Sequence, residues 1–242
     1  MYLNEKEKVN MLELLKQEVY EANMELNARG LITYTWGNVS GIDRAAGLVI
    51  IKPSGVAYEK LAPEDMSVVD LQGNRVEGRY KPSSDTPTHL ELYKKYETIG
   101  GIAHTHSSFA TAWAQARRDI PLYGTTHADS FYGPIPCARA LTKEEIEGEY
   151  EKNTGLTIIE CLEQRGINPM YNPAILCACH GPFTWGADAA ESVRNAVVLE
   201  QVAKMALRTE AICPQAEPAP DCIRDKHFFR KHGENAYYGQ NG

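Results

Sequence analysis

The stretch GGIAHTHSS, Gly100 to Ser108, sets two glycines ahead of a short apolar run that carries histidines two positions apart. A helix before it stops at Gly100-Gly101, and GIAHTH reads as a strand. In a strand, residues i and i+2 share a face with attachment points about 6–7 Å apart, so His104 and His106 can lean onto one metal ion. On a helix the same spacing splays the two rings. Two histidines alone read equally as a hydrogen-bonded pair in a polar pocket.

Outward from this strand the chain mixes both element types. Val9, Leu12, Leu15, Val19, Ala22 and Leu26 recur at helical spacing, which predicts an amphipathic helix over 5–28 ended by Gly30. Over 31–80 the runs LITYTWGNVS, LVIIKPSG, SVVDL and RVEG are short and β-like, and SVVDLQGNRVEG folds back at Gly73-Asn74 as a hairpin. Asp85 or Thr86 caps a helix that begins with Pro87. A second helix starts at the capping box Thr142–Glu145, breaks near Gly148 and ends near Gly166. AILCACH is a buried strand, and Asp188–Glu191 opens a long helix to about Thr209. CPQAEPAP is a linker before a tail rich in rings and basic groups. The hairpin signals favour an antiparallel or mixed sheet covered by helices.

The 242 residues fit one large domain, and 43% hydrophobic with 24% charged residues is a globular composition. A net charge of −7 argues against a nucleic-acid partner. No apolar run is long enough to span a bilayer, and the charged N-terminus is not a secretory signal. The six cysteines are too sparse for a disulfide framework, which points to the cytoplasm.

Two further groups join the histidine pair as candidates. His180 ends an apolar strand before Gly-Pro, and Asp85 stands at the mouth of a helix, where it also reads as a plain cap. Three imidazoles and a carboxylate suit zinc or a similar divalent ion. Cys177 and Cys179 offer a competing thiolate site, but strand alternation sets them opposite His180 and they read as small buried residues. Three turns, Trp36–Ser40, Lys52–Gly55 and Lys81–Ser84, are rich in backbone N–H and hydroxyl donors, with Lys52 and Lys81 beside two of them. Ser83 and Ser84 precede a helix N-terminus, where free N–H groups and the dipole favour an anion, and phosphate is the natural guest. Taken as turn chemistry alone, Pro-Ser-Gly needs no ligand.

The ordered set TWGNVS, IKPSG, KPSSDTPTH, GGIAHTHS, GTTHADSFYG, HGPF and KHGENAYYGQ, spread over almost the whole chain, resembles the class II sugar-phosphate aldolase family. Within it the pattern is similar to that of the L-ribulose-5-phosphate 4-epimerases. The resemblance implies an α/β fold, a single-domain three-layer α/β/α sandwich with a mostly antiparallel central sheet. It implies a homotetramer of C4 symmetry with active sites between subunits, the segment 213–242 reaching a neighbour. Asp85, His104, His106 and His180 match the ligands of one divalent metal ion per subunit, most simply Zn2+. Gly37, Asn38, Ser54, Gly55, Ser83 and Ser84 match the substrate-phosphate cradle, and Lys52 lies beside it. Asp129 matches one acid/base and Tyr238, from the neighbouring subunit, the other; His227 and Arg230 in the tail would lie close by.

The resemblance further implies interconversion of L-ribulose 5-phosphate and D-xylulose 5-phosphate by C3–C4 cleavage, rotation of the aldehyde fragment and re-addition. Such a step belongs to pentose catabolism, arabinose breakdown among the routes. Related aldolases place a glutamate at the position of Asp85, whereas the epimerases have aspartate. The rival readings are an aldolase that releases its aldehyde and a non-catalytic assembly protein whose metal only holds the fold.

Overall fold

The structure is a computed structural model that describes residues 5–233 and 236–237. In chain order the elements are α1 (Glu5–Ala28), β1 (Asn38–Asp43), β2 (Leu48–Ile51), β3 (Ser67–Asp70), β4 (Arg75–Glu77), α2 (Thr86–Lys95), β5 (Gly101–His104), α3 (Ser108–Ala116) and α4 (Thr125–Ala128). They continue with β6 (Cys137–Ala138), α5 (Lys143–Glu147), α6 (Tyr150–Gln164), β7 (Ala174–Cys177), β8 (Pro182–Gly186), α7 (Ala189–Ile212) and α8 (Asp221–His232).

The eight strands form one sheet in the order β4-β3-β2-β1-β5-β8-β7-β6. All neighbours pair antiparallel except β6 and β7, the pair joined through α5 and α6. A parallel pair requires such a crossover, whereas the β3–β4 hairpin needs only the turn through Gly73. Alternation along each strand feeds two helical layers. Ile102, Phe183 and Trp185 point to the side covered by α2 and α6, where they meet Leu92, Tyr93 and Ile158. Val39, Ile50 and Ala103 point to the other side, against Val19 and Leu26 of α1 and Val193 of α7. A third apolar cluster joins Trp113 of α3 to Leu199 and Ala203 of α7 beneath β7. The three-layer α/β/α sandwich with a mostly antiparallel sheet is therefore the fold.

The Gly-Gly pair has a packing reason. A Cβ on Gly101 would lie 2.2 Å from the Asp188 carbonyl oxygen and one on Gly100 would lie 1.9 Å from that of Ala187, so β5 starts flush against the turn that opens α7. That contact sets where His104 falls.

Several boundaries differ from the sequence reading. The run LITYTWGNVS becomes a strand only at Asn38, because Gly37 adopts φ +93°, in the left-handed region. Helix α2 stops at Lys95 rather than at Gly100. Strand β5 ends at His104, so His106 lies just beyond it. Strand β7 ends at Cys177; the chain then turns through Cys179 at φ +65°. Alternation stops there, and Cys179 is exposed rather than buried, while Cys177 is buried. The tail after the Pro-rich linker forms a helix, α8, whose basic last turn comprises Arg230, Lys231 and His232.

Candidate metal and phosphate site

Both neighbours of β5 position His104. It pairs with Asn38 of β1 and with Phe183 of β8. Phe183 stacks on the imidazole at 4.2 Å and 19°, and Nδ1 donates to the Pro182 carbonyl at 2.9 Å. That bond fixes the tautomer and leaves Nε2 as the lone-pair nitrogen.

His180 arrives from the tight turn between β7 and β8, closed by Cys177 N–H donating to the Gly181 carbonyl at 2.9 Å. Its ring lies 4.7 Å from that of His104 and 5.1 Å from that of His106. The His104 and His106 rings are 4.9 Å apart although the strand has ended between them. One nitrogen from each of the three lies within 4.8 Å of the others, and among the described residues no carboxylate or thiol joins this group.

Asp85 lines the same cavity but is held differently. It is the N-cap residue of α2 by position, yet its side chain makes no capping bond. Instead its Oδ2 accepts from Asn38 Nδ2 at 2.7 Å, and Asn38 also donates to Ser83 Oγ at 3.0 Å. The plain-cap reading of Asp85 is thereby excluded. Burial would raise this carboxyl; the nearby His104 and His89 and the Asn38 bond outweigh it and hold it below its ordinary value. Burial, then the like charge of His104, pushes His180 down to about 3, which keeps the ring neutral and able to ligate.

The donor set fits a borderline divalent cation: neutral imidazoles, a carboxylate within the same cavity, and a buried His180 Nδ1 without a hydrogen-bond partner.

The two Lys-Pro-Ser turns are zipped together. Pro53 and Pro82 form an antiparallel bridge, with Ser54 N–H donating to the Lys81 carbonyl at 2.9 Å and Ser83 N–H to the Lys52 carbonyl at 3.1 Å. Proline suits these positions because the bridge does not need its N–H. Gly37 completes the floor: a Cβ there would lie 2.7 Å from the His104 carbonyl. Lys52 is buried, its Nζ donating to the Val56 carbonyl at 2.9 Å and lying 4.7 Å above the Tyr58 ring. Burial lowers this ammonium to about 8.

One cavity of about 390 Å³ gathers these groups. Its lining includes Gly37, Asn38, Lys52, Ser54, Gly55, Ser83, Ser84, Asp85, His104, His106 and His180. It also includes Trp36, which the sequence reading placed in the first of the three turns, and Tyr150 and Glu151, which it missed. The break at Gly148 was the available signal, since it starts α6 at Tyr150 and aims that first turn at the cavity. Burial raises the Tyr150 hydroxyl above its ordinary value.

Asp129, His227 and Arg230 lie apart from that lining and form a cluster of their own. Asp129 Oδ1 accepts from His227 Nδ1 at 3.0 Å and from Arg230 Nη2 at 2.9 Å, and Lys231 Nζ approaches Oδ2 to 3.4 Å. Burial would raise Asp129, but His227, Arg230 and Lys231 together hold it below its ordinary value. Tyr238 lies outside the described residues.

The comparisons with known proteins agree with this geometry. The profile described as "Class II Aldolase and Adducin N-terminal domain" matches residues 17–207. The chain is 58% identical over 95% of its length to the whole of a Salmonella paratyphi B protein named L-ribulose-5-phosphate 4-epimerase UlaF. Among solved structures, an L-fuculose 1-phosphate aldolase superposes with TM-score 0.74 at 25% identity, covering 88% of this chain and 93% of that one. A Klebsiella pneumoniae protein, YgbL, titled a putative aldolase/epimerase/decarboxylase, shares the fold at TM-score 0.71 and 23% identity over 89% of this chain and 98% of its own. By sequence, fold and histidine cluster, the chain belongs to the class II aldolase and adducin family.

Proposed function

We propose that the protein is a metal-dependent L-ribulose-5-phosphate 4-epimerase that interconverts L-ribulose 5-phosphate and D-xylulose 5-phosphate. The observation that carries the reading is one cavity lined by three converging imidazoles, the Asp85 carboxylate and the paired Lys-Pro-Ser turns. The 58% identity to a protein of that name supports the substrate class. His104, His106, His180 and Asp85 hold the metal, most simply Zn2+. When bound, the ion supplies Lewis-acid stabilisation of the negative charge that develops as the C3–C4 bond breaks.

The chain's own residues do the rest. Gly37, Asn38, Ser54, Gly55, Ser83 and Ser84 cradle the phosphate with backbone N–H groups and hydroxyls at the mouth of α2, and the Lys52 ammonium adds charge. The cradle keeps the aldehyde fragment in place while it rotates, so that re-addition occurs on its other face. One base takes the C4 hydroxyl proton as the bond breaks, and one acid on the opposite side returns a proton to the new alkoxide. These are the tasks of Asp129 and Tyr238, each worth about 10²–10⁴ in rate.

Asp129, His227 and Arg230 do not line the histidine cavity of their own chain, which supports their serving a neighbouring copy. A C4 tetramer, in which the α4–α8 cluster and the tail over 213–242 of one subunit reach the histidine cavity of the next, meets that need. No helix among the described residues is long and apolar enough to cross a membrane, and the proposed setting is the cytoplasm.

Incubation with D-xylulose 5-phosphate tests the reading. An epimerase yields L-ribulose 5-phosphate; steady accumulation of dihydroxyacetone and glycolaldehyde phosphate would assign the aldehyde-releasing aldolase instead.

A further inference from the structure

Tyr58 is buried in the short 3₁₀ turn Tyr58–Lys60 and lies outside the cavity lining. It nevertheless touches two groups that belong to that lining. Its hydroxyl donates to the Gly37 carbonyl at 3.1 Å, and the Lys52 Nζ stands 4.7 Å from its ring centroid. Burial raises the hydroxyl above its ordinary value, so it stays protonated and remains a donor.

Each contact settles something the turns leave open. Gly37 sits at φ +93°, and a glycine adopts either sign of φ with similar ease, so its own chain does not hold it there. A bond on its carbonyl fixes the plane of the Gly37–Asn38 peptide. Asn38 is the residue whose side-chain amide reaches Ser83 Oγ at 3.0 Å, so the first turn is tied to the second through Tyr58 and to the third through Asn38.

Lys52 poses the opposite problem, a buried cation. Its ammonium has three donors, and among the described residues two of them meet carbonyls, Val56 at 2.9 Å and Pro53 at 3.4 Å. The third is left for a ligand in the cavity that Lys52 lines. Among the described residues no carboxylate pairs with this ammonium. A carboxylate would neutralise it, whereas a ring face offsets part of the lost hydration and leaves the charge available to an anion.

We infer that Tyr58 is a positioning residue for the phosphate cradle, its hydroxyl holding the Gly37 peptide and its ring face supporting the Lys52 ammonium without neutralising it. The inference rests on the three turns being that cradle.

The test is binding of inorganic phosphate to the full-length, metal-loaded protein, measured by calorimetry for wild type, Tyr58→Phe, Tyr58→Leu and Lys52→Met. Thermal unfolding of each variant, and KM and kcat for D-xylulose 5-phosphate, accompany it. Tyr58→Phe removes one oxygen and keeps the packed ring; phosphate binding should weaken about 2–10-fold, with KM raised and kcat unchanged. Tyr58→Leu also removes the ring face and should weaken phosphate by about a further 2–5-fold. Wild-type phosphate affinity in Tyr58→Phe, with only the unfolding temperature lowered, shows a purely structural hydroxyl and overturns the inference, whether or not the Leu variant folds. Lys52→Met separates the inference from the reading beneath it: unchanged phosphate affinity there would overturn the cradle itself.

Discussion

His104 and His180 face each other with ring centroids 4.7 Å apart, one at the end of β5 and the other in the turn that enters β8. The antiparallel pairing of β5 with β8, in register at His104 and Phe183, makes that distance a property of the sheet. A side chain held by strand pairing on one side and a closed turn on the other is pre-organised for its ligand.

Removing either ring should therefore cost more than removing an outer-shell group. His104→Ala or His180→Ala should lose zinc by more than the roughly 10–100-fold typical of outer-shell changes and lose nearly all turnover. Metal analysis and rate assays on the same preparation check this, and an active, fully loaded variant would contradict it.

Lys52 gives a pH signature. Burial brings its ammonium down to about 8, so the free enzyme carries that charge below pH 8 and loses it above. Because kcat/KM reports the free enzyme, it should fall above about pH 8 for the sugar phosphate. In Lys52→Met the limb should vanish, with KM raised at neutral pH. A variant with an unaltered profile would remove Lys52 from phosphate binding.

Asp129 belongs to the α4–α8 cluster, which leads to a mixing experiment. His104→Ala and Asp129→Asn subunits should each be nearly inactive as homo-oligomers. Denatured together in equal amounts and refolded, they should regain activity in about a quarter of the sites if each site draws on two subunits. No recovery would place both residues in one chain's site.

His127 is buried, with Nε2 donating to the Gly133 carbonyl at 2.9 Å, and burial lowers it to about 4. The unfolded chain then binds the extra proton first as pH falls. This residue's contribution is present above about 6.5 and is lost between there and about 4, at up to roughly 1.4 kcal/mol per pH unit. Denaturant unfolding across that range should show a shallower acid slope in His127→Gln. An identical slope would show that His127 is protonated in the folded protein.

Much of this was legible in the residues, for local reasons. Caps, glycine stops and the helical spacing of Val19, Ala22 and Leu26 act over a few positions, so α1, the break at Gly148 and the β3–β4 hairpin were visible. The fold class came from the ordered motifs. What failed was extrapolation of a period past its element. Cys179 was assigned to a buried face by alternation, but a left-handed residue ends alternation. Asp85 carried two readings because an aspartate before a helix usually caps it; only the neighbouring Asn38, brought in by strand β1, shows the carboxylate engaged elsewhere. Tyr150 was passed over because nothing local marks a tyrosine at the start of a helix as facing a cavity. Helix α8 was missed because its rings and charges do not follow an apolar stripe.

Anomalous diffraction at the zinc edge, from crystals grown with zinc and a pentulose 5-phosphate analogue, tests the central claim most directly. One peak per subunit, ligated by Asp85, His104, His106 and His180, with the phosphate seated on the Lys-Pro-Ser turns, is the result predicted. A peak bound elsewhere, or those four side chains directed apart with no metal among them, would contradict it.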